Sequence, residues 1–290
     1  MANTQALKGR IRSVGKTKQI TSAMELVAAS RMRRAQDATK ASAPYTAAAR
    51  DLLAALATHI AVREHALFAV RPVRARLLIV IASDSGLAGA YNNNLTRLYA
   101  NELIKDDKEG VKNETITVGR KAAQFVARLK DTKVLGSYQA IPDRPDGNEL
   151  HAILGTAQEL FTSGEVDAVD VIYTEYINTL KQVAKVQRVL PAGAEMGGEA
   201  DRMLKDALYE PSTEEVLDGV AYRLVGAQLF QALLDARASE YSMRMMAMKN
   251  ATDNASDLID DLTLEMNKAR QAAITQELSE ISGGVEALNG

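Results

Sequence analysis

The chain has 290 residues, 47% of them hydrophobic and 25% charged, and a formal net charge of −2. These values fit a soluble folded protein of one large or two modest domains and give no nucleic-acid signature. Cysteine is absent, which excludes disulfides, thiolate catalysis and Cys-ligated zinc and fits a reducing compartment.

Only 4% of residues are aromatic and there is no Trp. Abundant alanine in their place suits helices packed closely side by side. No run approaches the length of apolar sequence that crosses a bilayer, and the N-terminus lacks an apolar signal core. Any membrane association is therefore expected to come through partners.

Residues from about Asn3 to Leu56 read as one long helix. Glycine and proline are nearly missing there, with Gly9, Gly15 and Pro44 the exceptions. Leu7, Val14, Thr21, Ala28, Ala35, Ser42, Ala49 and Leu56 lie seven apart and are all apolar or small. Ile11, Met24, Val27, Met32 and Leu53 are expected to widen that stripe. Pro44 should kink or end the regular helix, because it lacks a donor and crowds the preceding turn.

From about Val73 to Tyr209 the pattern changes to α/β. Residues 76–82 form a nearly continuous apolar run, as a central parallel strand buried on both faces requires. Further strands are expected at 115–118, 169–173 and 183–190, with helices near 95–105, 121–129 and 149–161. This alternation predicts a small, mostly parallel, Rossmann-like sheet covered by helices. Residues 192–198 are glycine-rich and read as a loop.

From about Thr213 to Ile281 a second long helix follows. Leu217, Val220, Leu224, Ala227, Gln231, Leu234, Ala238, Tyr241, Met245, Met248, Thr252, Ala255, Ile259, Leu262, Met266, Ala269 and Ala273 keep 3,4 spacing. Such a run is a coiled-coil seam. Pro211 and the capping-box pair Ser212 and Glu215 mark its start, and Gly283-Gly284 its end. The helix would be roughly 100 Å long. The fold expected is thus α/β with a long antiparallel coiled coil of the terminal helices. Its parts are an N-terminal helix over 1–60, an α/β domain over 73–209, a C-terminal helix over 212–282 and a tail over 283–290.

Chemistry-bearing motifs are sparse. Residues 84–92 form a glycine loop between a strand and a helix, but Gly86 and Gly89 do not make GxGxxG, and GxxxxGK[ST] is absent. A tight turn with helix capping is the expectation. His59, His65 and His151 have no metal-ligand spacing, and no GxSxG elbow is present. Charge is more informative. Residues 1–36 hold Lys8, Arg10, Arg12, Lys16, Lys18, Arg31, Arg33 and Arg34 against Glu25 alone. Residues 252–290 hold eight carboxylates against Lys268 and Arg270. Opposite blocks favour antiparallel pairing of the two ends and contacts with acidic protein partners. The basic helix has no interleaved aromatics for nucleic acid.

Three separated stretches, in order and spanning essentially the whole chain, resemble one family, the gamma subunit of F-type ATP synthase. They are residues 11–29 (IRSVGKTKQITSAMELVAA), residues 83–92 (SDSGLAGAYN) and the C-terminal run from Ala238-Ser239-Glu240 through Met245–Met248, residues 251–255 and 267–272, to Ile274–Leu278. Ser85 stands where the family usually has Arg, Ala88 where Cys is common, Met266 where an aromatic is usual, and Val285 for a frequent Ala.

The resemblance implies a central rotor shaft, not an enzyme in isolation. Its coiled coil would thread a ring of three alpha and three beta subunits. Its α/β foot would join the epsilon subunit and the c-subunit ring, so that proton-driven rotation is coupled to ATP synthesis or hydrolysis on the beta subunits. ATP, ADP and Mg would be bound by those partners, and no cofactor or metal by this chain. An inhibitory subunit is a further candidate partner; nucleic acid is not. The expected location is the cytoplasmic face of a bacterial inner membrane, peripheral and held through partners. By position, Arg270 and Gln271 match a beta-subunit catch; Met24, Lys18 and Arg31 face the acidic beta-subunit lever; Tyr209 and Glu210 match foot contacts to the c ring and epsilon. Ordinary seam packing is an equal reading of Met24. The rivals are a non-rotary coiled-coil adaptor and a nucleotide-binding α/β protein with a coiled-coil arm.

Overall fold

The computed structural model describes residues 2–58, 65–130, 132–142, 145, 147–193 and 213–289. The chain divides into two compact units, Met1–Ala28 with Arg244–Gly290, and Ala29–Met243. Two helices contribute to both: α1, Ala2–Thr58, and α5, Thr213–Asn289.

The second unit is built on a five-stranded sheet of order β3-β2-β1-β4-β5. Its strands are β1 (Ala75–Ile81), β2 (Lys112–Val118), β3 (Lys133–Tyr138), β4 (Ala168–Tyr176) and β5 (Gln182–Leu190). Strand β1 pairs in parallel with β2 and β4, and β2 with β3; β5 returns antiparallel to β4. Helices α2 (Tyr91–Glu109), α3 (Arg120–Val126) and α4 (His151–Ser163) connect the parallel strands.

Alternation along β1 divides the core. Leu77, Ile79 and Ile81 pack with α4, α1 and α5 residues such as Ile153, Phe161, Leu53 and Leu229. Leu78, Val80 and Ala82 pack on the other face with Leu95, Tyr99 and Val126 of α2 and α3. Both faces of β1 are thus apolar, which explains its continuous apolar run. One charged cluster is buried with it. Arg76, 6% exposed, binds Glu102 at 2.8 Å, Asp106 at 2.9 Å and Asp170. Asp170 also takes two bonds from Arg188, each 2.8 Å. Burial alone would lower the Arg76 pKa, but these carboxylates outweigh it and raise it. The cluster fastens the start of β1 to α2, β4 and β5.

A second buried acid lies where α5 crosses the sheet. Asp235 is 8% exposed and faces Glu175, Lys185 and Arg50. Burial, reinforced by Glu175, pushes its carboxyl up to about 6, against the hydrogen bond from Gln231 and the two cations. Burial likewise pushes the neighbouring Tyr173 phenol up.

The first unit is a two-helix pair. On α1, Leu7, Thr21 and Ala28 are buried and Val14 half-buried. On α5, Met248, Ala255 and Leu262 are buried, and Met245, Thr252, Ile259, Met266, Ala269 and Ala273 half-buried. Thr252 donates to the Thr21 hydroxyl at 2.8 Å, placing these residues opposite one another. The polar position in the seam is therefore satisfied across it.

Several expectations need correction. Helix α1 continues through Pro44 to Thr58, so the proline does not end it; Ala43, Pro44 and Tyr45 are all exposed. Val27 does not widen the stripe; it is 53% exposed, being one residue and about 100° round the helix from seam residue Ala28. Gly283-Gly284 do not end α5, which continues to Asn289; glycine reaches helical dihedrals at a cost of about 1 kcal/mol each. Strand β3 was not anticipated. It is an edge strand with no fully buried residue and a glycine at 136, so it has no apolar run to reveal it. Pro211, Ser212 and residues 194–198 lie outside the described residues.

Candidate partner-binding surfaces

In a doubly wound sheet, ligands bind outside the carboxyl ends of the strands where the strand order reverses. Here that point lies between β1 and β4, above the glycine loop. The loop is a tight turn that bonds to its own chain. Ser83 donates to the Ser85 carbonyl at 2.7 Å, and Asn92 donates to the Ser83 hydroxyl at 2.8 Å. Leu87 and Gly89 take positive φ values of 60° and 56°. Helix α2 begins at Tyr91, and its N-cap, Ala90, gives no side-chain cap hydrogen bond. Asp84 accepts from the backbone N–H groups of Arg120 at 3.0 Å and Ala140 at 3.3 Å. The chain thus places its own carboxylate where a bound anion would meet backbone amides. The loops after β1 and β2 approach each other closely: a Cβ on Gly119, whose φ is 92°, would lie 2.2 Å from the Ala82 carbonyl oxygen.

The two described histidines have structural partners. His65 accepts from the Leu67 N–H at 3.3 Å. His151 lies 3.1 Å from the Tyr222 hydroxyl and stacks on its ring.

The candidate contact residues fall at different places. Arg270 and Gln271 are exposed on α5, between half-buried Ala269 and Ala273. They point away from the seam, as expected. Lys18 and Met24 are half-buried on α1 in the same unit. Measured from the Thr21–Thr252 level at 1.5 Å per residue, Met24 and Arg270 are roughly 30 Å apart along the pair. They form two contact levels, not one site. Arg31 belongs to the second unit; its backbone position is exposed, but its guanidinium lies 5.9 Å from the Tyr241 ring centroid. Its charge is partly engaged within the chain. Tyr209 and Glu210 lie outside the described residues.

Among the described residues, no ion pair links Lys8, Arg10, Arg12, Lys16 or Lys18 to the carboxylates of residues 253–280. The seam holds this pair together, and both charge blocks face outward. Residues 274–282 are all exposed. By the Thr21–Thr252 register, that stretch of α5 lies beyond the level of Ala2, the first described residue of α1. Ile274, Leu278 and Ile281 there are 50%, 62% and 65% exposed at i, i+4, i+7 spacing. This is one apolar stripe at that end of α5; it lies outside the 3,4 series, which ends at Ala273, because Ile274 is one residue and about 100° round the helix from it.

Comparison with known proteins bears on this surface. A family model described as ATP synthase matches residues 3–288. An ATP synthase gamma chain of Stenotrophomonas maltophilia is 41% identical over 293 residues, covering 99% of this chain and 100% of that one. That of Ralstonia nicotianae is 39% identical over 292 residues, with the same coverage. Among solved structures, a chain of the Euglena gracilis mitochondrial ATP synthase, in an assembly of OSCP, F1 and c-ring, aligns with a TM-score of 0.69 at 18% identity, over 99% of this chain and 95% of that one. A chain of the Tetrahymena thermophila central stalk and c-ring aligns with a TM-score of 0.61 at 22% identity, over 80% and 99%. At these identities the two structures speak to the fold.

Proposed function

The chain belongs to the ATP synthase gamma chain family, and from that premise we propose that it is the central-stalk shaft of an ATP synthase. In this reading the α/β unit is the foot that joins a c-subunit ring and an epsilon subunit. The α1/α5 pair stands inside a ring of three alpha and three beta subunits and passes rotation to their catalytic sites. Nucleotide and Mg belong to those partners, and the chain is a non-catalytic, peripheral component at the cytoplasmic face of the inner membrane. Among the described residues, no helix is long and apolar enough to cross a membrane.

The observation that carries this reading is the surface of the first unit. Its seam is closed, yet its basic and acidic blocks and the Ile274–Leu278–Ile281 stripe all face outward. An exposed apolar stripe of this kind marks a surface that a partner covers. Arg270 offers a fork of donors suited to a carboxylate of the catch, and Lys18 and Met24 present charge and a pliable apolar tip to the lever.

The test is affinity purification of the full chain from detergent-solubilised membranes of its host, with subunit stoichiometry by mass spectrometry. A ring of three-plus-three subunits together with epsilon and c is expected. Recovery of the chain in a stable complex lacking that ring would favour a coiled-coil adaptor and overturn the proposal.

A further inference from the structure

Helix α5 is buried on every side from Ala232 to Ser242, although that stretch includes Asp235, Arg237, Ser239, Glu240 and Ser242. A helix that merely packed on a sheet would bury one face and leave polar residues on the other. These polar residues reach the carboxyl edge of the sheet. Arg237, 9% exposed, donates to the Ile141 carbonyl at 2.8 Å, beyond the end of β3. It also pairs with Asp84, beyond the end of β1, at 3.6 Å and with Glu240 of its own helix at 3.2 Å. Ser239 donates to the Thr174 carbonyl of β4 at 3.1 Å. Asp84 in turn holds the backbone amides of Arg120 and Ala140. One guanidinium thus ties α5 to the loops after β1 and β3, while the neighbouring serine ties it to β4.

We propose that α5 is seated in the ligand crevice of the doubly wound sheet as an internal ligand, and that Arg237 is the positioning residue that keys this helix to the sheet domain so that turning force passes between them. A buried ion pair is a poor source of stability, since apolar side chains in place of both partners often do as well. Arg237 even leaves its Nε buried without a partner. What such a group supplies is one register and orientation: a smooth apolar contact can slide, whereas donors aimed at fixed carbonyl and carboxylate oxygens cannot. Burial disfavours the charge, but Glu240, Tyr241, Tyr91 and Asp84 hold the guanidinium pKa above its ordinary value.

This inference rests on the shaft reading. Its test uses the complete complex in sealed vesicles, recording ATP hydrolysis and ATP-driven proton uptake together. Arg237→Met keeps the aliphatic stem and removes the donors, which weakens the contact by about ten-fold or more. The variant is expected to assemble and to hydrolyse ATP at an undiminished rate without a gradient. Protons moved per ATP should fall as the gradient builds, and Arg237→Lys should restore part of the loss. Wild-type coupling at every gradient in assembled Arg237→Met would overturn the proposal. Should that variant fail to assemble, Asp84→Asn decides, because Asn retains an acceptor for the two backbone amides. Reduced coupling under load supports the key and unchanged coupling overturns it. Hydrolysis by the wild-type complex that moves no protons would instead overturn the shaft reading itself.

Discussion

The two units of this chain are held together in different ways. In the second, two apolar layers enclose a sheet, and Leu77, Leu78 and Ile79 are at most 1% exposed. In the first, apolar burial follows a narrow seam on each helix, with Leu7, Thr21, Ala28, Met248, Ala255 and Leu262 as its principal members. Most helix stability comes from tertiary burial. The sheet unit therefore carries its own stability, whereas the helix pair depends on whatever surrounds it. Ile274, Leu278 and Ile281 make the same point, since they are 50%, 62% and 65% exposed.

The strongest test of this contrast is a pair of truncations. Ile79→Ala should lower the stability of the isolated chain by about 2–5 kcal/mol, through lost burial and a cavity on a fully packed face. Leu262→Ala should leave the main thermal transition nearly unchanged and speed hydrogen exchange only in residues 250–282. In the unmodified chain, exchange should be fast over 254–281 and slow over 77–82. Equal effects of the two substitutions, or uniform protection, would show that the units are not energetically distinct.

A second test sharpens the picture of the sheet unit. The folded pKa of Asp235 is raised from the ordinary 3.8 to about 6. The folded state therefore binds the proton more tightly than the unfolded chain. Its stabilising contribution is full below about pH 4 and is lost as pH rises through 6. Asp235→Asn should match wild type near pH 4 and exceed it by about 2–3 kcal/mol at pH 8. Denaturant titrations across that range measure the difference. A constant offset between the two proteins would remove Asp235 as its source.

The helix pair is best tested in the assembled complex. Replacing Arg270 and Gln271 together with Ala should leave the ring intact but slow ATP-driven turnover, through loss of a partner contact of about 1–3 kcal/mol. Stoichiometry and steady-state hydrolysis are measured on the same preparation. Unchanged turnover would make these residues ordinary solvated positions.

The smallest effect concerns register. Thr21→Val with Thr252→Val exchanges a satisfied hydroxyl pair for apolar contact, so stability should change by less than about 1 kcal/mol. Paired spin labels on the two helices should nevertheless report a broader distance distribution, because a polar pair in a seam specifies alignment more than it adds stability. An unaltered distribution would mean that the apolar residues alone set the alignment.

Much of this architecture is legible in the residues. The seven-residue series from Leu7 to Leu56 is buried or half-buried at every position, because a repeat close to the helical period puts one stripe toward a neighbour. The run 77–82 announces the central strand for a similar reason, since burial on both faces favours apolar residues at successive positions. Both are local patterns that follow from backbone geometry. Strand β3 and the polar first half of β2 gave no such pattern, because ladder pairing can proceed with exposed, polar side chains, at the sheet edge in β3 and in the part of β2 that extends past its β3 partner. Of the contact residues, outward-facing Arg270 and Gln271 could be read from their offset to Ala269 and Ala273. The engagement of Arg31 with Tyr241 could not, since it joins residues 210 positions apart.

The deepest division lies within α5. Its 3,4 spacing runs unbroken from Leu217 to Ala273, and sequence alone determined that this is one helix with one continuous apolar stripe. Tertiary structure decided that the stripe serves two environments: a two-helix seam with its outer faces exposed beyond Met245, and an enclosed crevice from Ala232 to Ser242 where the polar faces are buried too. Periodicity records which side of a helix is apolar, but not what stands opposite the other side. Only the fold brings Asp84, Ile141 and Thr174 to that side, from three different strand ends, and turns Arg237 and Ser239 from apparent surface residues into anchors.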